Sequence, residues 1–533
     1  MRSSYAYPRY PYRRHGDQDA AQPVHHPVII VGAGLVGLTL AIDLKRKGVP
    51  VVVLERGTAV SEGSRSICQA KRTLEIWDRL GAADRMLAKG VTWKVGKVFF
   101  GADLLYQFDL LPEEGHRMPA FINLQQYYCE EYLIDCLLAL GGEIRRQNEV
   151  TGIIPFDDHV VLDIETPDGP YRLACDWLIS AEGVRSTIRR QLGLAFSGTV
   201  FEDKFLITDV RMKSDFPAER WFWFAPPFHK GQTALMHRQA DDIFRIDLQL
   251  GWGADVEAEK DPARVAARVR AIFGADVEFD LEWVSVYVFQ CRTLERYVHG
   301  RVLFVGDAAH QVSPFGARGG NAGVQDADNL AWKLNLVLDG KAPARLLESY
   351  NEERLFAARE NILHSTRATN FMTPKTKASR AIRDTVLHMA REAPFARALI
   401  NPGRLSVPAH FADSPLNTPD EDIFDCRLAP GSPASDAPLG AGWFLASLGD
   451  AFTAVVYQAE KTVAPASMEV DGIPVMVKTI EETADVLAQR YDLRPQTTYL
   501  FRPDQHIAAR WRGFDAAKIA AAVRRACMKD EEV

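Results

Sequence analysis

Two periods of apolar residues succeed one another along this chain, one of two residues and one near 3.6, and their order predicts the elements. In HPVIIVGAGLVGLTLAIDLKRKGVPVVVLERG, residues 26–57, a β-branched run leads into a glycine turn, a stretch of helical spacing and a second β-branched run. That order predicts strand, helix, strand, a βαβ unit. Segments near 201–210, 219–224, 233–238, 243–250 and 281–289 are rich in alternating strand formers, and their density predicts a separate antiparallel sheet inserted between parts of the first unit. From Arg301 a buried strand returns (RVLFVGD), followed by a glycine loop, helical stretches over 329–336 and 343–363, and an irregular, Pro-containing region over 374–438. The remainder predicts a small α/β unit with strands at 453–457 and 498–502, a helix near 481–490 and a closing helix from Asp515.

The alternation also assigns faces. In LEWVSVYVFQ, Val284, Val286 and Val288 point to one side and Trp283, Ser285, Tyr287 and Phe289 to the other; in IFRIDLQL, Phe244, Ile246 and Leu248 oppose Arg245, Asp247 and Gln249. One face of the predicted sheet is aliphatic, the other aromatic and polar. A sheet packed on one side and wet on the other gives the same pattern.

Composition narrows the function. At 533 residues the chain exceeds one ordinary core and predicts two or three domains. The formal net charge of -7 offers no basic footprint for nucleic acid, which leaves a small-molecule substrate as the expectation. No stretch approaches the ~20 apolar residues that cross a bilayer, and the Tyr-, Pro- and Arg-rich residues 1–26 lack the apolar segment of a secretory signal, so they read as an unstructured or surface-wrapping arm and the protein as cytoplasmic. The seven cysteines include no CxxC pair, which argues against structural zinc and a dithiol centre; no metal is expected.

The candidate chemistry lies in two places. Gly32, Gly34 and Gly37 form G-x-G-x-x-G after the first strand: the first permits a tight turn, the second lets backbone approach a pyrophosphate, and the third allows close helix packing. Glu55, about 20 residues on, ends the next strand, where a carboxylate can bind ribose hydroxyls. The second place is RVLFVGDAAHQVSPFGARGGNAGVQDADNLAWKL, residues 301–334, where a strand delivers Asp307 to its carboxyl end and a helix opens on Gly319, Gly320 and Asn321. A helix start poor in side chains admits a flat ring and favours negative charge, such as reduced flavin carries.

In this combination and order the motifs resemble the class A flavoprotein aromatic hydroxylases, the family of para-hydroxybenzoate hydroxylase and phenol hydroxylase, over roughly residues 28–354. The resemblance implies an α/β fold: an arm at 1–26, a discontinuous Rossmann-like FAD-binding domain at 27–200 and 285–375, an inserted antiparallel-sheet substrate domain at 201–284 whose sheet extends to about 290, a helical and irregular connector at 376–440, and a thioredoxin-like domain at 441–533. It implies FAD bound through Gly32, Gly34, Gly37, Glu55, Arg56 and Val150, with Arg65 near the pyrophosphate, Gln126 and Asp307 along the ribityl chain, and Gly319, Gly320 and Asn321 at the ring.

NADH or NADPH would reduce the flavin, and O₂ would add to give a C4a-hydroperoxide that hydroxylates a phenolic or related aromatic compound. Arg245 resembles the family arginine that reaches the flavin, and Pro314 the proline whose backbone faces the substrate. Tyr287 lies on the aromatic face, and His237 and Arg238 are candidates to meet an anionic or phenolic group. His310 reads as structural. The segment LISAEGVRSTIRR, with Glu182 and Arg185, resembles the family's Asp-Gly segment, although Glu182 replaces Asp; Leu35 replaces a common Pro and Gly320 a common Met. A flavin-dependent dehydrogenase and an FAD-binding protein without turnover remain the alternatives. Cys527, alone in the C-terminal unit beyond 441, cannot run a dithiol cycle, and a structural or dimer-supporting role is expected there; a homodimer stays open.

Overall fold

The computed structural model describes residues 4–400, 405–458, 465–481 and 485–529. The βαβ unit forms from Val24–Val31, Leu35–Arg46 and Val51–Glu55. Its strands join a sheet in the order Val298–His299, Val302–Phe304, Tyr171–Ser180, Val24–Val31, Val51–Glu55, Glu143–Arg146. From Val302–Phe304 to Glu143–Arg146 all neighbours are parallel, as in Ile29 beside Leu178 and Val52. Val28, Ile29 and Ile30 are fully buried, as an unbroken apolar run demands when both faces of a parallel sheet are covered. The helices Leu35–Arg46 and Gly319–Leu338 pack on one another beside it.

The second sheet has eight strands, in the order His310–Gln311, Asp280–Leu294, Phe196–Arg211, Ile243–Leu250, Thr233–Arg238, Arg220–Phe224, Val95–Phe100, Asp103–Asp109. Two features differ from the expected segments. Residues 95–109, expected in the cofactor-binding segment 27–200, form a hairpin here, and Val95–Phe100 runs parallel to Arg220–Phe224. The 16-residue strand Phe196–Arg211 and the 15-residue strand Asp280–Leu294 run unbroken through the expected boundaries at 200 and 285. Long-range pairing decides both, and no local period reports it.

The aliphatic face of this sheet lies under the helix Pro262–Phe273, whose Val265 and Val269 pack among Leu206, Val210, Ile246 and Leu248. The other face turns inward. Helices Leu346–Met372 and Lys377–Ala390 cover part of it, with Phe371 against Phe224 and Leu387 near Tyr106.

The arm wraps. Tyr5 stacks on Tyr127 at 4.1 Å, the Tyr7 hydroxyl accepts from Gly63 N–H at 2.9 Å, and Tyr10 N–H donates to the Thr58 carbonyl at 2.7 Å. The C-terminal unit is a mixed sheet ordered Ser467–Val470, Ile473–Ile480, Phe452–Tyr457, Thr498–Phe501, Ile507–Trp511, with helices Phe444–Leu448, Asp485–Arg490 and Ala516–Ala526. Residues 482–484 of the helix expected near 481–490 lie outside the described residues. Cys527 caps the last helix, fully buried, and burial pushes its thiol up to about 12, so it stays protonated at neutral pH. Among the described residues no helix is long and apolar enough to cross a membrane.

Candidate active site

The carboxyl ends of the parallel strands share one edge, and the loops leaving them carry the glycines and carboxylates. After Val24–Val31 the chain turns at Gly32, with φ +112°, where a Cβ would lie 2.4 Å from the Ala181 carbonyl oxygen. A Cβ on Gly37 would lie 2.1 Å from the Gly32 carbonyl oxygen. Gly34 differs: its φ is −86°, and the nearest atom to a Cβ is Glu130 Oε1 at 3.7 Å. Packing of the protein itself demands glycine at 32 and 37. At 34 it does not, and the open space lies at the N-terminus of Leu35–Arg46, where unpaired N–H groups favour phosphate.

Glu55 braces this turn from the neighbouring strand. Its Oε2 accepts from Ala33 N–H at 2.8 Å and its Oε1 from Gly57 N–H at 2.7 Å, leaving lone pairs for ribose hydroxyls. Asn148 N–H donates to the Glu55 carbonyl, which brings the buried Val150 alongside; Arg56 and Arg65 are exposed. Gln126 opens the helix Gln126–Ala139, accepting from Ser66 N–H at 3.1 Å and donating to Glu130 at 2.8 Å. Glu130, buried beside Gly34, also accepts from the Ser61 N–H and hydroxyl, and burial pushes its carboxyl up.

Asp307 follows Val302–Phe304, half-buried. Burial pushes its carboxyl up, and among the described residues no hydrogen bond to that carboxylate is made. The helix Gly319–Leu338 starts close by, with a Cβ at Gly320 only 2.7 Å from Ser66 Oγ, so its first turn is fitted to the loop 61–66. Arg189 ties the segments together, donating to the Ala308 carbonyl at 2.9 Å and the Val184 carbonyl at 2.6 Å.

These residues fit FAD. They supply an open glycine at a helix N-terminus, a carboxylate at the end of the second strand, a carboxylate without a protein partner, and a second helix N-terminus. Asp307→Ala is expected to lower FAD occupancy, since one charge-assisted hydrogen bond is worth about 1–3 kcal/mol, about five- to a hundred-and-fiftyfold in Kd. FAD content after exhaustive dialysis measures it, and full retention would remove Asp307 from the site.

Some expected residues act otherwise. The Asn321 side chain cannot face a ring: its Oδ1 accepts from Ala70 N–H and the Thr73 hydroxyl, and its Nδ2 donates to the Cys68 and Ala317 carbonyls. It fastens strand Cys68–Ala70 to the helix, and only its backbone is left for a ligand. Glu182 accepts from the Ser180 and Ser186 hydroxyls and from Thr187 and Ile188 N–H, capping its own turn, while Arg185 is exposed. His310 Nε2 pairs with Asp326 at 2.7 Å, and Asp326 also holds Gly306 N–H and Arg354, so the histidine is structural.

The inner face of the second sheet faces these loops. Phe315, from the loop after the exposed Pro314, packs on Phe205 at 5.2 Å and Phe289 at 5.0 Å, closing the gap at that end. Tyr287 stays 41 % exposed; burial, then the charge of Asp307, pushes its phenol above the usual range, so the two sheets meet here. Arg245 is buried, donating from Nε to Asp209 at 3.0 Å and from Nη2 to the Ser64 hydroxyl at 2.7 Å. It reaches the cofactor-flanking loop through Ser64.

His237 lies beside Arg245 and Arg220 in the register, buried, and burial followed by those two cations pushes its imidazole well below the usual range. Arg238, the other candidate to meet an anionic or phenolic group, does not share the face of His237. Being next in the strand it points to the opposite face, where it pairs with Asp242 at 3.4 Å. Sequence reasoning gave no role to Arg220 and Asp247. Arg220 shares its face with Phe222 and Phe224 by alternation in RWFWF, which was the available signal; Asp247 stood on the polar side of its strand, but the register alone brings the two together.

The profile of the FAD binding domain family matches residues 25–365. A flavin-dependent monooxygenase of Mycobacteroides abscessus is 29 % identical over 90 % of this chain and 96 % of its own. The 12-dehydrotetracycline 5-monooxygenase/anhydrotetracycline 6-monooxygenase of Streptomyces rimosus is 31 % identical over 71 % of this chain and 76 % of its own. Among solved structures, the flavin-dependent monooxygenase PieE in complex with FAD and substrate superposes with a TM-score of 0.82 at 23 % identity, over 96 % of this chain and all of the other. Aklavinone-11 hydroxylase with FAD and aklavinone gives 0.77 at 23 %, over 95 % and all.

Proposed function

Because this chain belongs to the FAD binding domain family and is an FAD-dependent monooxygenase, we propose that it hydroxylates a phenolic or related aromatic compound with NADH or NADPH as reductant and O₂ as oxygen source. One observation carries this reading: the edge bearing Gly34 and Asp307 faces a sheet whose inner side is aromatic and polar, with Tyr287 between them. Bound FAD would supply reduction by NAD(P)H and transfer of one oxygen atom by way of a C4a-hydroperoxide.

The chain's own part is to bind, orient and keep water out. Gly32, Gly34, Gly37 and Glu55, with Arg56 and Val150 beside them, would seat the ADP half; Arg65, Gln126 and Asp307 the middle; and the backbone of Gly319, Gly320 and Asn321 the ring. Arg245 would hold the loop 61–66 against the flavin, the Pro314 backbone would face the substrate, and Phe205, Phe289 and Phe315 exclude water from one side. The parallel pair Phe452–Tyr457 and Ile473–Ile480, flanked by antiparallel strands, supports a thioredoxin-like reading of the C-terminal unit.

Labelled O₂ tests the reaction: one labelled atom should appear in the product for each NAD(P)H consumed productively. Tyr287→Ala should raise the fraction of reducing equivalents lost as hydrogen peroxide severalfold while NAD(P)H oxidation continues. Product oxygen from water alone would end the monooxygenase chemistry, and unchanged coupling in Tyr287→Ala would remove that residue from the pocket.

A further inference from the structure

Three polar side chains on the inner face of the second sheet lack a hydrogen-bond partner among the described residues. Among the described residues the Arg220 guanidinium, 9 % exposed, makes no hydrogen bond or ion pair, and its Nη1 is wholly buried. His237 Nδ1 is equally buried and unpartnered. The Asp247 carboxylate accepts no hydrogen bond and meets Arg245 Nε only at 3.9 Å, beyond hydrogen-bond reach. Asp247 belongs to a central strand and keeps 17 % side-chain exposure, while His237 and Arg245 on the same face are buried.

Register places the groups together. Arg220 pairs with His237, His237 with Arg245, and Asp247 stands two residues further along the Arg245 strand, on the same face. Arg220 and Asp247 feel one another's charge without forming an ion pair within 4 Å.

We propose that Arg220 and Asp247 hold the phenolic oxygen of the substrate between them, the hydroxyl donating its hydrogen to Asp247 and accepting one from Arg220. A hydroxyl makes two bonds of ~2.8 Å and so bridges an acceptor and a donor that do not touch. The charges select a neutral group. Arg245 is matched by Asp209, His237 is held neutral by burial and its cationic neighbours, and Arg220 and Asp247 cancel. A substrate carboxylate would be repelled by Asp247, whereas a phenol suits both partners.

On reaction the phenolic O–H bond breaks as a carboxyl O–H forms on Asp247. The electron pair stays on the phenolic oxygen beside Arg220, making the ring richer in electrons, and the proton returns to the product oxygen. The groups facing Asp247 are Arg245 on its own strand, Asp209 and His237 on the two neighbouring strands, Arg220 one strand further, and Cys68 from the small sheet. Burial pushes its carboxyl up to about 6, so it is a base at neutral pH and loses that role on acidification.

The inference rests on the hydroxylase reading and is tested by binding, which needs no turnover. The oxidised, FAD-loaded protein is titrated with 1-naphthol, 1-methoxynaphthalene and 1-naphthoate while the flavin spectrum is followed. The naphthol should bind at least about tenfold more tightly than the other two. Asp247→Asn, whose amide oxygen still accepts but carries no charge, should reduce the preference over the ether and improve naphthoate, and Arg220→Met should weaken both naphthol and naphthoate. Naphthol-stimulated hydroxylation should rise through about pH 6 in the wild type and lose that rise in Asp247→Asn. Equal affinities for the three ligands, no naphthol binding by FAD-loaded protein, or an Asp247→Asn variant with preference and pH rise intact would each overturn the assignment. Selective naphthol binding without oxygen transfer from O₂ would instead sink the hydroxylase reading and leave the grip standing.

Discussion

Gly34→Ala is expected to give a folded chain that no longer retains FAD, with affinity lowered by about a hundredfold, or about 2.7 kcal/mol. The methyl group costs the protein nothing: φ at Gly34 is −86°, and the nearest atom to the new Cβ is Glu130 Oε1 at 3.7 Å, an ordinary contact. On the proposed FAD site what it would meet is the ligand, because a glycine here would let the backbone come close to a pyrophosphate at the helix N-terminus. Gly37→Ala is the contrasting variant. Its Cβ would lie 2.1 Å from the Gly32 carbonyl oxygen, so the apoprotein itself should lose thermal stability. Equilibrium dialysis with FAD and the melting of the two apoproteins separate the cases. A Gly34→Ala protein that binds FAD as tightly as the wild type would place the pyrophosphate elsewhere.

That contrast marks how far the sequence reached. Three glycines at the right spacing after a β-branched run were legible because the turn, the strand and the helix are built from residues adjacent in the chain. The two-faced character of Ile243–Leu250 and Asp280–Leu294 was legible for the same reason, since alternation is a local property. Pairing was not. The hairpin 95–109 reaches the second sheet through a partner more than 120 residues away, and Arg220 meets His237 and Asp247 only through register. Arg238 stands one position from His237, which in a strand is the whole thickness of the sheet, so the two candidates face opposite sides. Asn321 has the position expected for a ligand contact, but its amide is used on Ala70, Thr73, Cys68 and Ala317, which only the folded arrangement reveals.

The least legible feature carries the largest stability effect. Glu353, on Leu346–Met372, is buried and accepts from Lys333 at 2.8 Å, Asn329 at 2.7 Å, Arg502 at 2.6 and 3.1 Å and the Ser414 hydroxyl at 2.6 Å. Arg502 also meets Asp504 at 2.5 Å, and Asp504 lies against Asn329. Lys333 and Asn329 belong to the helix whose first turn borders the proposed cofactor site, so this network joins the C-terminal unit to the back of that helix.

Glu353→Gln would leave Arg502 and Lys333 with Asp504 as their remaining close carboxylate, an uncompensated buried cation, and should cost about 3–5 kcal/mol. Burial alone would raise the Glu353 carboxyl, but Arg502 and then Lys333 reverse that and hold it far below the usual range. Lys333 is pushed down to about 8 by burial and is still charged at neutral pH. A depressed carboxyl contributes stability that is complete above the unfolded value, about 4.3, and is lost as pH falls below it. The wild type should therefore lose stability steeply below about pH 4.3, and Glu353→Gln should start lower and fall less steeply over that range. Denaturant midpoints of the apoprotein across this range measure both effects. Equal stability at neutral pH, or an unchanged acid limb in the variant, would show that the C-terminal unit is held by its apolar contacts with Trp332 and Leu336 rather than by this network.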